Sequence, residues 1–429
     1  MSLLLKNATY IDWETLGFRT TDIIVNEGVD NHIEFVDNYS ENNLTGIDRV
    51  IDCMGKIVTK SFAVGHHHAY SALARGMYPP EKSASCFYDI LKNIWWTLDK
   101  CLDKEMIEYC ALTTAIACAK AGSTFVIDHH ASPYAIEGSL EIMAKAFEKV
   151  GISHLLCYEI SDRDGKDVAM KGLDETSSYL ENHQGLVGLH ASFTVEDDTM
   201  QSAVNLMNRF DSGIHIHVAE DKYDQEHCLK NYKKRVVSRL SDFGILKSSK
   251  TILAHCLHLN DKEKDLIFNS PCRVVQNTES NLNNNVGYFD GRGLGENIMS
   301  GTDGMHSDML QSARSAYLVG QGFDSIDYRT AYNRFRNVHH YLRKNGFTGD
   351  GDNNLVILDY DSPTGINTDN FLPHFIYGLN ARHINDVISN GRIIVENRIV
   401  KTVDEAGILN VARGLSTRLW DKMRMQGKV

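Results

Sequence analysis

The chain has 429 residues, of which 42% are hydrophobic, and a formal net charge of −12. This length suits one large domain and a smaller one. The acidic balance, with no long basic run, argues against nucleic acid or an anionic membrane surface as a partner. No apolar run is long enough to span a membrane, and the apolar start is too short for a signal peptide. The nine cysteines occur singly, as is typical of reduced thiols, so we expect a cytoplasmic protein.

Short strand-like segments at both ends of the chain predict a small β-rich domain. Residues 1–57 alternate apolar and polar residues between Gly, Asn and Asp turns. Strand patterns return after the Gly- and Asp-rich joint at 349–354, and Asn390-Gly391 is typical of a tight type I′ hairpin. An amphipathic helix is predicted from about 405 to 423. We expect residues 1–57 and 353–429 to form a composite β-sandwich domain with a C-terminal helix.

Between these ends, buried strands alternate with helices. The eight strands are predicted at 57–64, 124–128, 154–158, 185–190, 214–218, 251–255, 272–276 and 297–301. The main helices are predicted at 132–147, 168–181, 194–210, 224–240, 261–268 and 307–318. Two-sided apolar strands that alternate with helices imply a parallel sheet. We therefore expect an α/β fold, a (β/α)8 TIM-type barrel over residues 58–352. The long insertion from Tyr70 to Ala121, which carries Trp95-Trp96, is predicted to be helical and to roof the barrel mouth.

Three consecutive histidines, His66, His67 and His68, follow the first barrel strand. Side chains alternate along a strand, so His66 and His68 share one side and His67 takes the other. A His-x-His pair at a strand end can chelate a metal ion with little conformational freedom to lose. Taken alone, this stretch is equally compatible with a histidine-rich loop.

The ends of the other strands favour the metal site. Barrel enzymes keep their sites at the C-terminal ends of the strands. The residues predicted at these ends are His66, His68, Asp128, His129, His130, His190, His217, His255 and Asp303. Packing does not explain a histidine or aspartate at most of the strand ends, whereas metal ligation does.

The alternation of side chains along each strand also indicates which residues are the metal ligands. His215 and His217 point to the same side of their strand, but His217 lies nearer the mouth. We therefore predict His217 as a ligand and His215 as a structural histidine deeper in the barrel. His66, His68, His217 and Asp303 form a nitrogen and oxygen set suited to Zn²⁺, Fe²⁺ or Mn²⁺. We expect one divalent metal ion, with zinc favoured and iron or manganese as alternatives.

The same strand ends supply candidate catalytic groups. Water bound to the cation becomes hydroxide near neutral pH, because the cation lowers its pKa. Asp303 is expected to orient that water and take its proton, and Glu220 to deliver a proton to the substrate. His255 would stabilise the developing charge. The alternatives are a solvated loop carboxylate for Glu220 and a supporting contact for His255. His129-His130 are predicted to support the ligands rather than to bind the metal.

Four motifs together resemble the amidohydrolase superfamily over essentially the whole chain. They are His66-x-His68, His217-Val-Ala-Glu220, Leu253-Ala-His255-Cys256 and Gly301-Thr-Asp303-Gly304. The most similar branch is that of cytosine deaminase and the atrazine chlorohydrolase-type enzymes, and within it the poorly characterised aminohydrolases called SsnA. The resemblance implies a barrel beside a β-sandwich, a single catalytic metal, and hydrolysis of a carbon–nitrogen or carbon–halogen bond of a ring.

The resemblance also implies substrate contacts from His190 and from the loop that contains Asn281. Trp95 is the expected contact from the roof of the barrel. The chain departs from the family at two places. Lys60-Ser61 stands where Pro-Gly is usual, which changes a turn, and Thr278 stands where a proline is usual, which affects the shape of the pocket.

The leading functional hypothesis is a metal-dependent aminohydrolase, a hydrolase acting on carbon–nitrogen bonds other than peptide bonds. Its substrate would be a small cyclic amidine, such as a purine- or pyrimidine-like heterocycle. The first alternative is ring-opening hydrolysis of a cyclic amide, as in dihydropyrimidinases and hydantoinases. Those enzymes hold two metals bridged by a lysine on the fourth strand, and residues 185–190 contain no lysine. The second alternative is a catalytically inactive scaffold. A homodimer is also expected.

Overall fold

The computed structural model of the protein describes residues 1–36, 46–80 and 83–426. Its strands are β1 (Ser2–Ile11), β2 (Phe18–Asn26), β3 (Ile33–Val36), β4 (Arg49–Asp52), β5 (Ile57–Lys60), β6 (Phe62–His67), β7 (Ser123–His130), β8 (Ser153–Tyr158), β9 (Val187–Ala191), β10 (Ile214–Val218), β11 (Ile252–His255), β12 (Arg273–Gln276), β13 (Ile298–Ser300), β14 (Leu355–Leu358), β15 (Ile384–Ser389), β16 (Arg392–Glu396) and β17 (Ile399–Val400).

The α-helices are α1 (Phe87–Ile90), α2 (Trp96–Cys101), α3 (Lys104–Lys120), α4 (Ser139–Val150), α5 (Lys166–Leu180), α6 (Asp197–Arg209), α7 (Lys222–Tyr232), α8 (Val236–Asp242), α9 (Asp261–Phe268), α10 (Thr278–Asn283), α11 (Met309–Phe323), α12 (Tyr328–Lys344), α13 (Phe371–Pro373) and α14 (Glu405–Met425). None of the described helices is long and apolar enough to cross a membrane.

Strands from both ends of the chain form one nine-stranded sheet, which we call the terminal sheet. Its order is β17-β16-β15-β14-β5-β1-β2-β3, and β4 pairs with β1. β5 joins the two ends, since it is parallel to β1 and antiparallel to β14. Leu3, Val58 and Leu355 are fully buried together in one apolar cluster against this sheet. β5 extends the terminal sheet to Lys60, past the expected boundary after residue 57. The β-sandwich arrangement and the division into domains remain predictions.

The expectation of one continuous strand from 57 to 64 is wrong. The chain changes sheets at Ser61, where β5 ends and the barrel strand β6 begins. Ser61 N donates to Asn354 O beside the terminal sheet, and Phe62 N donates to Gly122 O just before β7. Both strands are buried along their whole length, so the apolar pattern does not show the break. The break falls where the family usually has Pro-Gly.

The eight strands from β6 to β13 form the predicted (β/α)8 barrel. β6, β7 and β8 pair in parallel, as do the five strands from β9 to β13. Parallel bridges Leu156–Gly185 and Ile160–Leu189 join β8 to β9, and the bridge His67–Asp303 joins β6 to the segment after β13. Tyr341 of α12 packs with the barrel interior and donates to Lys250 O before β11. The fold class predicted from the sequence is confirmed.

Several helix boundaries differ from the predicted ones. The helix predicted from Ser132 begins instead at Ser139, because Gly138 has a left-handed φ of +75° and the Ser132 side chain bonds His130. The helix predicted over 224–240 is divided into α7 and α8 at Lys233, whose φ is +58°. α9 has the predicted bounds, and Asn260 closes a capping box at its start.

The insertion between β6 and β7 has two parts with different roles. α1, a π-helical turn at Leu91–Trp95 and α2 lie over the barrel mouth, as predicted. α3 is a barrel helix instead, since it packs against α4 and β7. Asp103 caps α3 by accepting from Met106 N at 3.0 Å. Among the described residues of the insertion, those that line the pocket all precede α3: Tyr70, Phe87, Leu91, Trp95 and Trp96.

The predicted hairpin and C-terminal helix are present. Asn390 and Gly391, between β15 and β16, have φ of +48° and +77°, as a type I′ turn requires. α14 lies against α3 and α2.

Candidate metal centre

His66, His68 and His217 meet at the C-terminal ends of the first and fifth barrel strands. One imidazole nitrogen from each lies within 4.8 Å of the others, and all three side chains are buried. His67 points to the opposite side, where it contacts Asp128 and Ser307. The structure therefore places the His-x-His pair as strand alternation requires.

The hydrogen bonds of these histidines determine which nitrogen is free to bind a metal. The Nδ1 of His68 lies 2.7 Å from His129 O, and the Nδ1 of His217 lies 2.7 Å from His190 O. A carbonyl oxygen only accepts, so both Nδ1 atoms carry a hydrogen, and in the neutral rings both Nε2 atoms carry a lone pair. These two Nε2 atoms face each other at 3.0 Å. With no hydrogen between them, a cation is the group that makes this approach favourable.

His66 completes the nitrogen set. Its Nδ1 lies 2.9 Å from Nε2 of His215, which is fully buried deeper in the barrel. Its Nε2 is buried without a hydrogen-bonding partner among the described residues. Burial first, then the surrounding histidines, hold the pKa of His66 and His217 well below the ordinary value. Neutral imidazoles are the form that binds a divalent metal.

Asp303 supplies the carboxylate. One of its oxygens lies 3.2 Å from His68 Nε2 and 3.9 Å from His66 Nε2, and accepts from Gly304 N at 2.8 Å. Burial alone would raise the pKa of Asp303, but His68 and His255 outweigh it, so the pKa lies below the ordinary value. Three imidazoles and an ionised carboxylate are a donor set suited to Zn²⁺, so the residues present fit the predicted ion.

His255 lies between two carboxylates. Its Nε2 is 3.6 Å from the second oxygen of Asp303 and 3.5 Å from Glu220. Burial, followed by the charge of Asp303, raises the pKa of Glu220 well above the ordinary value. Burial lowers the pKa of His255 to about 4. Glu220 and Asp303 are thus two neighbouring carboxylates with opposite proton preferences, a pattern typical of acid–base sites.

The backbone is left-handed at several of these positions. Ala219, His255, Cys256 and Asp303 all have φ between +47° and +70°. Such conformations are costly for residues other than glycine and concentrate at functional sites. They lie at the end of the fifth, sixth and eighth barrel strands or within three residues after it.

α10 contacts all three candidate catalytic residues. Asn281 Nδ2 lies 2.7 Å from His255 Nδ1, Asn284 donates to Glu220 at 3.4 Å, and Ser280 hydrogen-bonds to Asp303. Asn281, predicted as a substrate contact, is 1% exposed and is not among the residues that line the pocket. Its position behind His255 makes a positioning role the better interpretation.

His129 and His130 are the last two residues of β7, and one His129 nitrogen lies within 4.8 Å of ligand atoms of Glu159 and His217. His129 Nε2 lies 3.2 Å from two backbone oxygens, those of Leu189 and His215. His130 Nε2 bonds the Ser132 hydroxyl at 2.9 Å. Both histidines are fully buried, and their supporting roles remain a prediction.

A pocket opens above the cluster toward the roof. His190 and Trp95, two predicted substrate contacts, line it together with His68, His217, Glu220, His255 and Asp303. Phe87, Leu91 and Trp96 add an apolar roof. Sequence reasoning missed Glu159, which also lines the pocket. Glu159 directly follows β8, so the rule that identified the other strand ends would have found it.

Comparison with known proteins agrees with this geometry. The model of the amidohydrolase family matches residues 61–394. The chain therefore belongs to the amidohydrolase family, as its motifs predicted. The finer resemblance to SsnA remains a prediction.

Curated relatives cover nearly the whole chain. A 5-methylthioadenosine/S-adenosylhomocysteine deaminase of Syntrophomonas wolfei is 26% identical over 401 residues, 87% of this chain and 90% of the relative. A protein of the same name from Desulforamulus reducens is 25% identical over 450 residues, 98% of this chain and 99% of the relative.

Solved structures share the fold. An adenosine deaminase from Xanthomonas campestris with bound zinc has a TM-score of 0.80 and 19% identity, and the match covers 99% of this chain and 98% of that one. Atrazine chlorohydrolase TrzN from Arthrobacter aurescens, complexed with zinc, has a TM-score of 0.80 and 16% identity, with 96% and 100% coverage.

Proposed function

We propose that the protein is a metal-dependent aminohydrolase that deaminates a cyclic amidine in a small heterocycle. The observation that carries this proposal is the position of His255 Nε2, between Glu220 and Asp303 and beside the paired Nε2 atoms of His68 and His217. This position supports the proposed acid–base pair beside the proposed metal ligands, which together line one pocket.

The ion is proposed to be a single zinc held by His66, His68, His217 and Asp303. The lone pairs of the three histidines and the ionised carboxylate support this assignment, as does the zinc bound in two structural relatives. Iron and manganese suit the same donors. When bound, the cation lowers the pKa of a water molecule and so supplies hydroxide near neutral pH.

Glu220 is proposed to carry the proton that the ring requires. Its raised pKa favours the protonated form, which can give a proton to the ring nitrogen next to the reacting carbon. The oxygen of water bonds to the ring carbon, and the carbon–nitrogen bond to the amino group breaks. The proton taken from the water passes to the amino group, which leaves as ammonia, and the remaining hydroxyl proton returns to Glu220. The ring carbon becomes a carbonyl beside an N–H. One water is consumed for each ammonia released.

His255 and Asp303 are proposed to act on the water. Asp303 is ionised and reaches both the histidine cluster and His255, so it can orient the water and accept its proton. His255 stabilises the negative charge that develops as the oxygen attacks the ring carbon. Asn281 fixes the ring orientation of His255 from behind.

The substrate class follows from the pocket and the relatives. Their names describe deamination of adenine-containing compounds, and deamination of adenine converts a cyclic amidine to an amide. Trp95, Trp96 and Phe87 provide flat apolar faces for a planar ring. We therefore propose a purine- or pyrimidine-like heterocycle as the substrate.

Ring-opening hydrolysis of a cyclic amide is the second candidate. In the dihydropyrimidinase and hydantoinase branches a lysine on the fourth strand bridges two metals. Here the fourth strand is β9, with the sequence Val-Gly-Leu-His-Ala, so no residue on it can carry that bridge. This observation favours deamination with one metal.

The deciding experiment is an ammonia-release screen of purines, pyrimidines and their oxidised or hydrated derivatives, with mass spectrometry of each product. Deamination predicts one ammonia per turnover and a product heavier than the substrate by one mass unit. Ring opening instead adds one water to the mass. The Asp303→Ala variant is the inactive control. The proposal is contradicted if no compound in the screen releases ammonia in a reaction that requires Asp303.

We also propose a cytoplasmic location and a homodimer. The nine cysteines are all free in the structure, as expected for a reducing compartment. The oligomeric state can be checked by light scattering of the purified protein, for which we predict twice the chain mass.

A further inference from the structure

One side wall of the pocket carries a carboxylate that the proposed reaction does not use. Glu159 follows β8 and lines the pocket together with His190 and Trp96. Its side chain is 3% exposed, so any ligand that reaches it must be largely enclosed. A buried carboxylate needs donors, because an ionised group loses its hydration on burial.

The protein itself satisfies this carboxylate incompletely. One oxygen lies 3.3 Å from His129 Nδ1. The other, Oε1, lies 3.8 Å from Arg163 Nη2, too far for a hydrogen bond. Oε1 accepts no hydrogen bond from the residues that the structure describes. It is therefore available to a donor that enters the pocket.

His190 adds a second acceptor to the same wall. The Thr194 hydroxyl donates to Ala191 O at 3.2 Å, so it must accept from the Nδ1–H of His190 at 2.6 Å. This leaves His190 Nε2 as an acceptor without a hydrogen-bonding partner in the described part of the chain. The wall thus presents two acceptors, and it favours a ligand with N–H groups.

The one guanidinium near this wall is already paired. Arg163 is bonded to Asp99, lies 3.2 Å from Asp164, and stacks over Trp96 at 5.2 Å. Lys100 pairs with Asp164 as well. Among residues 1–36, 46–80 and 83–426, no lysine or arginine lines the pocket. A carboxylate or phosphate on the substrate would therefore meet Glu159 without a compensating cation on this wall.

We infer that Glu159 and His190 select a neutral heterocycle by accepting its N–H groups, and that they reject substrates carrying a carboxylate or phosphate. This inference rests on the proposed function, because it concerns the substrate of the same site. It separates the protein from relatives named for S-adenosylhomocysteine, a compound with a carboxylate. Glu159 is the residue that carries the selection.

The first test compares neutral and anionic partners on the metal-loaded Glu220→Gln variant. The pairs are adenosine with adenosine 5′-monophosphate, and cytosine with 5-carboxycytosine. Binding is measured by isothermal titration on the Glu220→Gln variant, so that no turnover is needed. We expect the neutral member to bind at least about tenfold more tightly, the effect of one unfavourable charge contact.

The second test removes the N–H groups of the ligand one at a time. Adenine is compared with its 3-, 7- and 9-methyl derivatives, in the wild type and in Glu159→Gln. We expect the wild type to lose about ten- to a hundredfold in affinity for one derivative, as for a hydrogen bond to a charged group. In Glu159→Gln the same methyl group should reduce the affinity much less. Glu196→Gln, whose side chain is 63% exposed, is the matched control.

The outcomes separate this inference from the proposed function. Ammonia release with equal affinity for neutral and anionic partners would overturn the inference and leave the function intact. Selective binding of neutral ligands without ammonia release would support the inference and overturn the function. The inference is wrong if neither neutral nor anionic ligands bind. It is also wrong if methylation reduces the affinity equally in the wild type and in Glu159→Gln. Thermal unfolding and metal content of Glu159→Gln verify that the variant is folded.

Discussion

His68 and His217 face each other through Nε2 atoms 3.0 Å apart, while each donates its Nδ1 hydrogen to a backbone carbonyl. Tetrahedral zinc with bonds of 2.0–2.1 Å holds its nitrogen ligands about 3.3 Å apart, close to this separation. The carbonyl oxygens of His129 and His190 fix both ring orientations before any ion binds. The site is therefore organised by the barrel itself.

The His217→Asn variant should lose the metal. Even substitutions behind the ligands lower metal affinity about 10–100-fold, and removal of a ligand should do at least as much. Inductively coupled plasma mass spectrometry of the purified variant measures the bound ion. His32→Asn is the control, because the His32 side chain is 88% exposed. Full metal content in His217→Asn would remove His217 from the ligand set.

The Glu220→Gln variant should retain substrate binding and lose turnover. The amide cannot deliver a proton, so we expect kcat to fall about 10²–10⁴-fold with KM little changed. Steady-state ammonia release gives both constants. Glu226→Gln, an exposed position on α7, is the control. A Glu220→Gln enzyme with wild-type kcat would assign the proton transfer to another group.

The fold and the metal ligands could be predicted because they depend on local patterns. Strand alternation separates His66 and His68 from His67, and the carboxyl ends of parallel strands meet at one edge. The break at Ser61 could not be predicted, since β5 and β6 are equally buried. The left-handed backbone of His255 and Asp303 also has no sequence pattern, because neither residue is glycine. The contact of Asn281 with His255 is a tertiary one.

The Asn281→Ala variant tests whether α10 positions His255. Without Asn281, His255 Nδ1 is buried without a partner and its ring can rotate. We expect kcat to fall roughly tenfold, the effect of about 1.4 kcal/mol, while the metal is retained. Asn269→Ala, on the surface after α9, is the control. Unchanged kcat at full metal content would show that His255 needs no support from α10.

His339 should make the protein less stable in acid. It lies between Asp350, Lys60 and Arg336, and burial lowers its pKa to about 4. The unfolded side chain binds a proton below about pH 6.5, and the folded one only below about 4. Acid therefore favours the unfolded chain, and this stability is lost as the pH falls from about 6.5 to 4. Asp350, whose pKa is lowered to about 2, contributes only in stronger acid.

Urea unfolding at pH 7 and pH 5 measures this effect. Between pH 7 and pH 5 the free energy of unfolding should fall by about 2 kcal/mol more in the wild type than in His339→Gln. His32→Gln serves as the control. Because the His32 side chain is exposed, its replacement should leave the pH dependence of unfolding as in the wild type. Equal losses in the wild type and His339→Gln would mean that His339 titrates alike in the folded and unfolded chain.

The central claim is that one ion binds where His66, His68, His217 and Asp303 converge. X-ray diffraction from a crystal of the purified protein, recorded on both sides of the zinc absorption edge, tests it most directly. We predict a single anomalous peak at 2.0–2.2 Å from the three histidine Nε2 atoms and an oxygen of Asp303, as in known zinc sites. A metal-loaded crystal without a peak among these four side chains, or with its peak elsewhere, would contradict the account.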